Sequence, residues 1–156
     1  MATVKPFFFD TTVLLGGLIE FSPDAAEQAV FDAVAAGRIR EPQTAWHCCL
    51  EFFAVATRLP PAYRLAPAEA VSLLQDEVFP RLAIHQLTAS ALKSFLDAAV
   101  KDRVVGGRVY DAHIAEIARR SGAGTIVTGN RRHFTTLLAH GIRVLTAEEF
   151  AEDLGL

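Results

Sequence analysis

Three acids, Asp10, Glu51 and Asp111, stand at positions where a merely solvating acid is not expected. Asp10 closes the apolar run Phe7-Phe8-Phe9. Glu51 lies in Thr44–Arg58, a segment whose helical pattern is apolar nearly all round, with Trp46, Leu50 and Phe53 as one stripe. A helix of that kind is expected to be buried, and a buried carboxylate is costly unless something compensates it. Asp111 is followed at helical spacing by Ile114, Ala115 and Ala118, which puts it on an apolar-facing stripe. Gathered in one place, such carboxylates repel and hold protons more tightly unless a cation is present. Hard oxygen ligands without a Cys or His cage select Mg2+ or Mn2+ over zinc. A magnesium ion held by few carboxylates keeps waters and takes phosphate oxygens, which suits phosphodiester hydrolysis.

Each acid also has a simpler reading. Asp10 suits a helix N-cap. Glu51 has His47 and Arg58 on its own helix as local partners. Asp111 sits in a first turn, where the helix dipole favours negative charge.

The elements that must position these acids follow from periodicity and caps. Strands are expected at Lys5–Asp10, Arg38–Glu41, Arg81–His85, Thr125–Thr128 and Ile142–Leu145. Helices are expected at Thr11–Ile19, from Pro23 to about Ala36 with Ser22 as cap, at Thr44–Arg58 and at Ala66–Val78. Further helices are expected from Thr88 to about Asp102, at Arg108–Arg120, at Phe134–His140 and after Thr146, which forms a capping box with Glu149. Short apolar strands alternating with helices imply an α/β architecture: three layers, with a central parallel sheet of four to five short strands. The crevice of such a sheet lies at the carboxyl ends of its strands, which selects Asp10 and the Thr128–His133 loop.

The 156 residues suit one domain spanning 1–156. A net charge of −3 is not that of a general nucleic-acid coat, yet a local basic rim and a bound metal can still draw in a polyanion. Cys48 and Cys49 are adjacent and offer neither an ordinary disulfide nor a chelate. Met1–Lys5 does not read as a leader and no apolar run is long enough for a bilayer, so a reducing cytoplasm is the expected compartment. The mean hydropathy of +0.27 leaves room for an apolar face toward a partner, with Pro60–Pro67 and Ala66–Val78 the expected surface.

Four stretches, in order, resemble the PIN-domain ribonucleases. They are Phe9-Asp10-Thr11 after the first strand, Leu50-Glu51-Phe52-Phe53 with Arg58 downstream, Tyr110-Asp111-Ala112-His113-Ile114-Ala115, and Ile126-Val127-Thr128-Gly129-Asn130 before His133-Phe134. Each motif is weak alone; the ordered set is specific and covers nearly the whole chain. The length, and Arg58-Leu59-Pro60 leading to a Pro-started helix, are most similar to the VapC toxins of type II toxin–antitoxin pairs. The resemblance implies an endoribonuclease dependent on Mg2+ or Mn2+, a homodimer and a cognate antitoxin. It makes Asp10, Glu51 and Asp111 the metal-site acids, with Glu51 reaching the metal through water. Many PIN domains carry a fourth acid where this chain has Asn130. An amide oxygen can hold a water but adds no charge, so the expectation is three acids and one firmly held metal. Thr128 is expected to orient the loop.

Arg131, Arg132 and Arg108 are candidate RNA contacts, against the plainer reading of solvated loops. A catalytically silent PIN-like module that binds RNA or protein is the alternative, and Asn130 favours it. An aspartyl phosphatase would need a second Asp two positions after the first, where Thr12 stands. Dinucleotide binding lacks its Gly-rich turn after strand one.

Overall fold

Phe7–Phe9 forms the central strand β1, and Phe8 and Phe9 are wholly buried. A strand covered on both faces reads as an unbroken apolar run rather than an alternation. In this computed structural model, which describes residues 3–156, four further strands flank it in parallel. They are β2 (Pro42–Ala45), β3 (Ala83–His85), β4 (Thr125–Val127) and β5 (Arg143–Leu145), in the order β3-β2-β1-β4-β5. Met1 and Ala2, at the head of the stretch read as carrying no leader, lie outside the described residues.

The helices are α1 (Thr11–Leu18), α2 (Ala26–Ala35), α3 (Trp46–Ala56), α4 (Pro67–Leu73), α5 (Ala89–Lys101), α6 (Arg108–Arg120) and α7 (Ala147–Leu154). Parallel crossovers are right-handed, so connections running leftward from β1 to β3 and rightward from β3 to β4 lie on opposite faces. Accordingly α1–α4 pack together with α7, while α5 and α6 pack with each other. Strand order reverses between β1 and β4, which creates the crevice where doubly wound sheets bind ligands. Phe150 of α7 meets Phe7 and Phe9 edge-on at 5.1 and 5.8 Å and anchors that helix beneath β1.

Several expected boundaries move. The second strand is Pro42–Ala45, not Arg38–Glu41. Pairing with β1 and β3 decides this, and Thr44 and Ala45 therefore leave the expected helix for the strand. The second helix starts at Ala26, and Ser22 and Pro23 lie in the preceding turn rather than capping it. The helix expected through Val78 changes to a π-helical turn at Leu74–Val78. Phe134–His140 is not α-helical; 3-10 turns occupy Arg131–His133 and Thr135–His140, the latter ended by left-handed Gly141. The Thr88 cap and the Thr146–Glu149 capping box form as expected.

Candidate active site

Asp10 ends β1 at the switch point, only 3% exposed. Its side chain caps α1, with Oδ1 accepting from the Thr11 amide at 2.7 Å. The capping and functional readings are therefore one geometry. Oδ2 accepts from the hydroxyls of Thr128 at 2.7 Å and Thr12 at 3.2 Å. Thr12 also accepts the Gly129 amide at 2.8 Å, and Thr128 accepts the Asn130 amide at 3.0 Å. The turn after β4 is thus tied to the start of α1 through one carboxylate. Burial pushes the Asp10 carboxyl up to about 6, against the pull of Thr128 and Thr11 and with help from the charges of Glu51 and Asp111.

Glu51 departs from the sequence reading in its surroundings. Its side chain is 38% exposed, and α3 does have an open face. That face is apolar: Trp46 is 42% and Leu50 71% exposed, where the helical pattern places both in the core. Asp10, not Glu51, is the deeply buried acid. Glu51 Oε1 accepts from the Thr11 hydroxyl at 2.9 Å and lies 3.5 Å from His47 Nε2. The expected local partner of Glu51 is thus His47, while Arg58 is exposed in the turn two residues beyond the end of α3, not on the helix as expected. His47 Nδ1 in turn meets His113 Nδ1 at 2.8 Å, a contact between α3 and α6 that sequence reasoning missed. Burial and the neighbouring His47 lower the pKa of His113.

Asp111 is partly buried in the first turn of α6 and bonds His133 Nδ1 at 2.8 Å. The sequence offers His133 only as a phosphate contact or a turn residue. Both line an open groove of about 1110 Å3 between α5, α6 and the 3-10 segment, together with Arg108 and Arg132. Arg131 instead pairs with Glu149, which weakens its candidacy as an RNA contact. Asn130 is exposed at the mouth of the crevice.

The donor set fits a hard divalent cation. Asp10 is a desolvated carboxylate whose pKa is raised chiefly by burial, with smaller contributions from the charges of Glu51 and Asp111, and a cation would relieve both. Among the described residues, no three His, Cys, Asp or Glu side chains form a ready cage. Magnesium does not require one, since it binds through one or two carboxylates and retains water. Cys48 and Cys49 are buried free thiols, and burial raises both pKa values, so neither is a ligand candidate.

A five-stranded parallel sheet with helices on both faces and a buried acid at its switch point defines a doubly wound α/β fold. Within that class, residues 6–132 match the PIN domain family model, and the chain belongs to this family. It is 31% identical over 142 residues to "Ribonuclease VapC27" of Mycobacterium tuberculosis, covering 91% of this chain and 97% of that protein. Its fold resembles the DNA-bound VapBC of Salmonella typhimurium, with TM-score 0.62 and 20% identity over 92% of this chain and 99% of that one. VapBC2 of Rickettsia felis, bound to a promoter DNA fragment, gives TM-score 0.61 and 16% identity over 90% and 98%. Among the described residues no helix is long and apolar enough to cross a membrane.

Proposed function

We propose that this chain is a divalent-metal-dependent endoribonuclease, the toxin of a toxin–antitoxin pair, acting in the cytoplasm as one domain over 1–156. The observation that carries the reading is Asp10: a desolvated carboxylate at the β1/β4 switch point, pushed up to about 6 beside Glu51 and Asp111. The similarity to a Mycobacterium ribonuclease supports the activity, and the VapBC complexes support an antitoxin partner. Asp10 and Asp111 would hold Mg2+ or Mn2+, and Glu51 would reach the ion through water. When bound, the ion supplies an acidic water and neutralises charge developing on the attacked phosphate.

The protein's own part is orientation. Thr11, Thr12 and Thr128 fix the plane of the Asp10 carboxylate. The Thr11 hydroxyl fixes Glu51. Arg108 and Arg132 line the groove at Asp111 and bind RNA phosphates there. The exposed apolar side chains Tyr63, Val71 and Phe79, with the Trp46 ring tilted against Phe79 at 5.3 Å, form the surface for a second copy or the antitoxin.

Expression of wild type and Asp10→Ala, with mapping of new RNA ends, tests the reading. Wild type should generate ends that the variant does not. A purified protein should cleave RNA with Mn2+ and stop in excess chelator. Identical RNA ends from both proteins would overturn the nuclease reading in favour of a silent RNA- or protein-binding module, which the neutral Asn130 favours.

A further inference from the structure

We infer that His113 and His47 are positioning residues for Glu51: a hydrogen bond between the two imidazoles joins α6 to α3, and His47 stands in ion-pair contact with the second acid of the site. The inference rests on the acidic centre proposed above. Asp111 and Glu51 lie on different helices, α6 and α3, and each of these helices packs against β2. The His113 Nδ1 to His47 Nδ1 contact of 2.8 Å joins these helices beside their acids. His113 is two residues beyond Asp111, and His47 is one helical turn before Glu51.

The direction of the chain follows from what each nitrogen faces. His47 Nε2 lies 3.5 Å from a carboxylate oxygen, an electrostatic contact that favours hydrogen on this nitrogen. In a neutral imidazole the other nitrogen is then an acceptor. His47 Nδ1 therefore accepts, and His113 Nδ1 donates. Two aromatic rings hold the pair: Tyr110 lies 5.8 Å from His47, and Phe95 lies 5.5 Å from His113. Oε1 of Glu51 is thus approached from one side by His47 and from another by the Thr11 hydroxyl. Among the described residues, Oε2 accepts from no protein donor. The chain fixes the first oxygen and leaves the second for the centre, as outer-shell partners do for metal-site ligands.

Nitrogen-15 spectra of the imidazoles in the full-length, metal-free protein test the direction without any variant. His47 should be the Nε2–H tautomer and His113 should carry hydrogen on Nδ1; the reverse pair would overturn the inference. Function is tested with His113→Leu and His113→Asn, whose amide nitrogen can replace the missing donor. With Mn2+ and a short RNA, the leucine variant should lose about 10- to 100-fold in kcat with little change in KM. The asparagine variant should regain most of that loss. An unchanged kcat in a folded leucine variant would reduce the pair to packing and overturn the inference. If the wild type cleaves no RNA under any of these conditions, the nuclease reading fails. The tautomers and the change in Mn2+ affinity of His113→Leu, measured by calorimetry, then still decide whether the pair positions Glu51.

Discussion

The Thr128 hydroxyl donates to Asp10 Oδ2 at 2.7 Å across 118 positions of sequence, joining the ends of β4 and β1. The bond is buried, and it is the largest influence pulling the Asp10 pKa down. Thr128→Val keeps the volume and deletes the donor. At pH 7 the metal-free variant should lose about 1.5–3 kcal/mol of stability, the scale of a hydrogen bond to a charged group. Thr128→Ser should retain most of it. Urea unfolding of the three proteins checks the order.

Asp10 sets a pH dependence of the metal-free protein whose sign is opposite to that of a salt-bridged acid. Its folded pKa of about 6 exceeds the reference 3.8, so the folded state binds more protons between those values. Stability from this group is full below about 3.8 and is lost as pH rises through about 6. Asp10→Asn should remove that loss and gain about 1–3 kcal/mol at pH 7, given 1.36 kcal/mol per pKa unit and weaker acceptance from the threonines. Melting curves from pH 4 to 8 compare the two. Saturating Mn2+ should shrink the wild-type deficit at pH 7 and leave the variant nearly unchanged.

Asn130→Asp adds a carboxylate at the end of the crevice, where the resemblance to PIN domains implies a fourth acid. Its position is exposed, so water attenuates the attraction. An added carboxylate should improve Mn2+ binding by about 1 kcal/mol, roughly fivefold. Calorimetric titration of wild type and variant checks this, and no gain would place Asn130 outside the ion's reach.

The arginines should separate by their existing partners. Arg108 and Arg132 line the groove, whereas Arg131 is engaged by Glu149. Replacing Arg108 or Arg132 by Ala should reduce the salt slope of RNA binding by about 0.7 for each phosphate no longer neutralised. Arg131→Ala should change it less. Binding of a single-stranded RNA to a cleavage-deficient variant, across a series of salt concentrations, gives the slopes.

Gly17 tests the packing under the site. A Cβ there would lie 2.2 Å from Cδ2 of Phe31, where α1 and α2 cross. Alanine would gain up to about 1 kcal/mol of helix propensity. Overpacking costs about 1–3 kcal/mol, and the Phe31 ring, 6% exposed, has little room to yield. Gly17→Ala should therefore destabilise overall, as a lower urea midpoint would show.

The sequence by itself determined the alternation of strands and helices, the Thr88 and Thr146 caps and the order of the three acids. These are local signals: hydrophobic period, cap residues and chain order. It misplaced β2 because Pro42–Ala45 has no alternating pattern of its own; pairing with strands on both sides makes it extended. It also read Glu51 as a carboxylate on a buried helix, since an apolar helix reads as buried whether or not a neighbour covers each face. Only the tertiary structure decided that Trp46 and Leu50 face outward and that Asp10 bears the desolvation. Only it brought His113 to His47 and His133 to Asp111, across 66 and 22 positions. No periodicity encodes such pairings, because they arise where the ends of separate elements converge over the sheet.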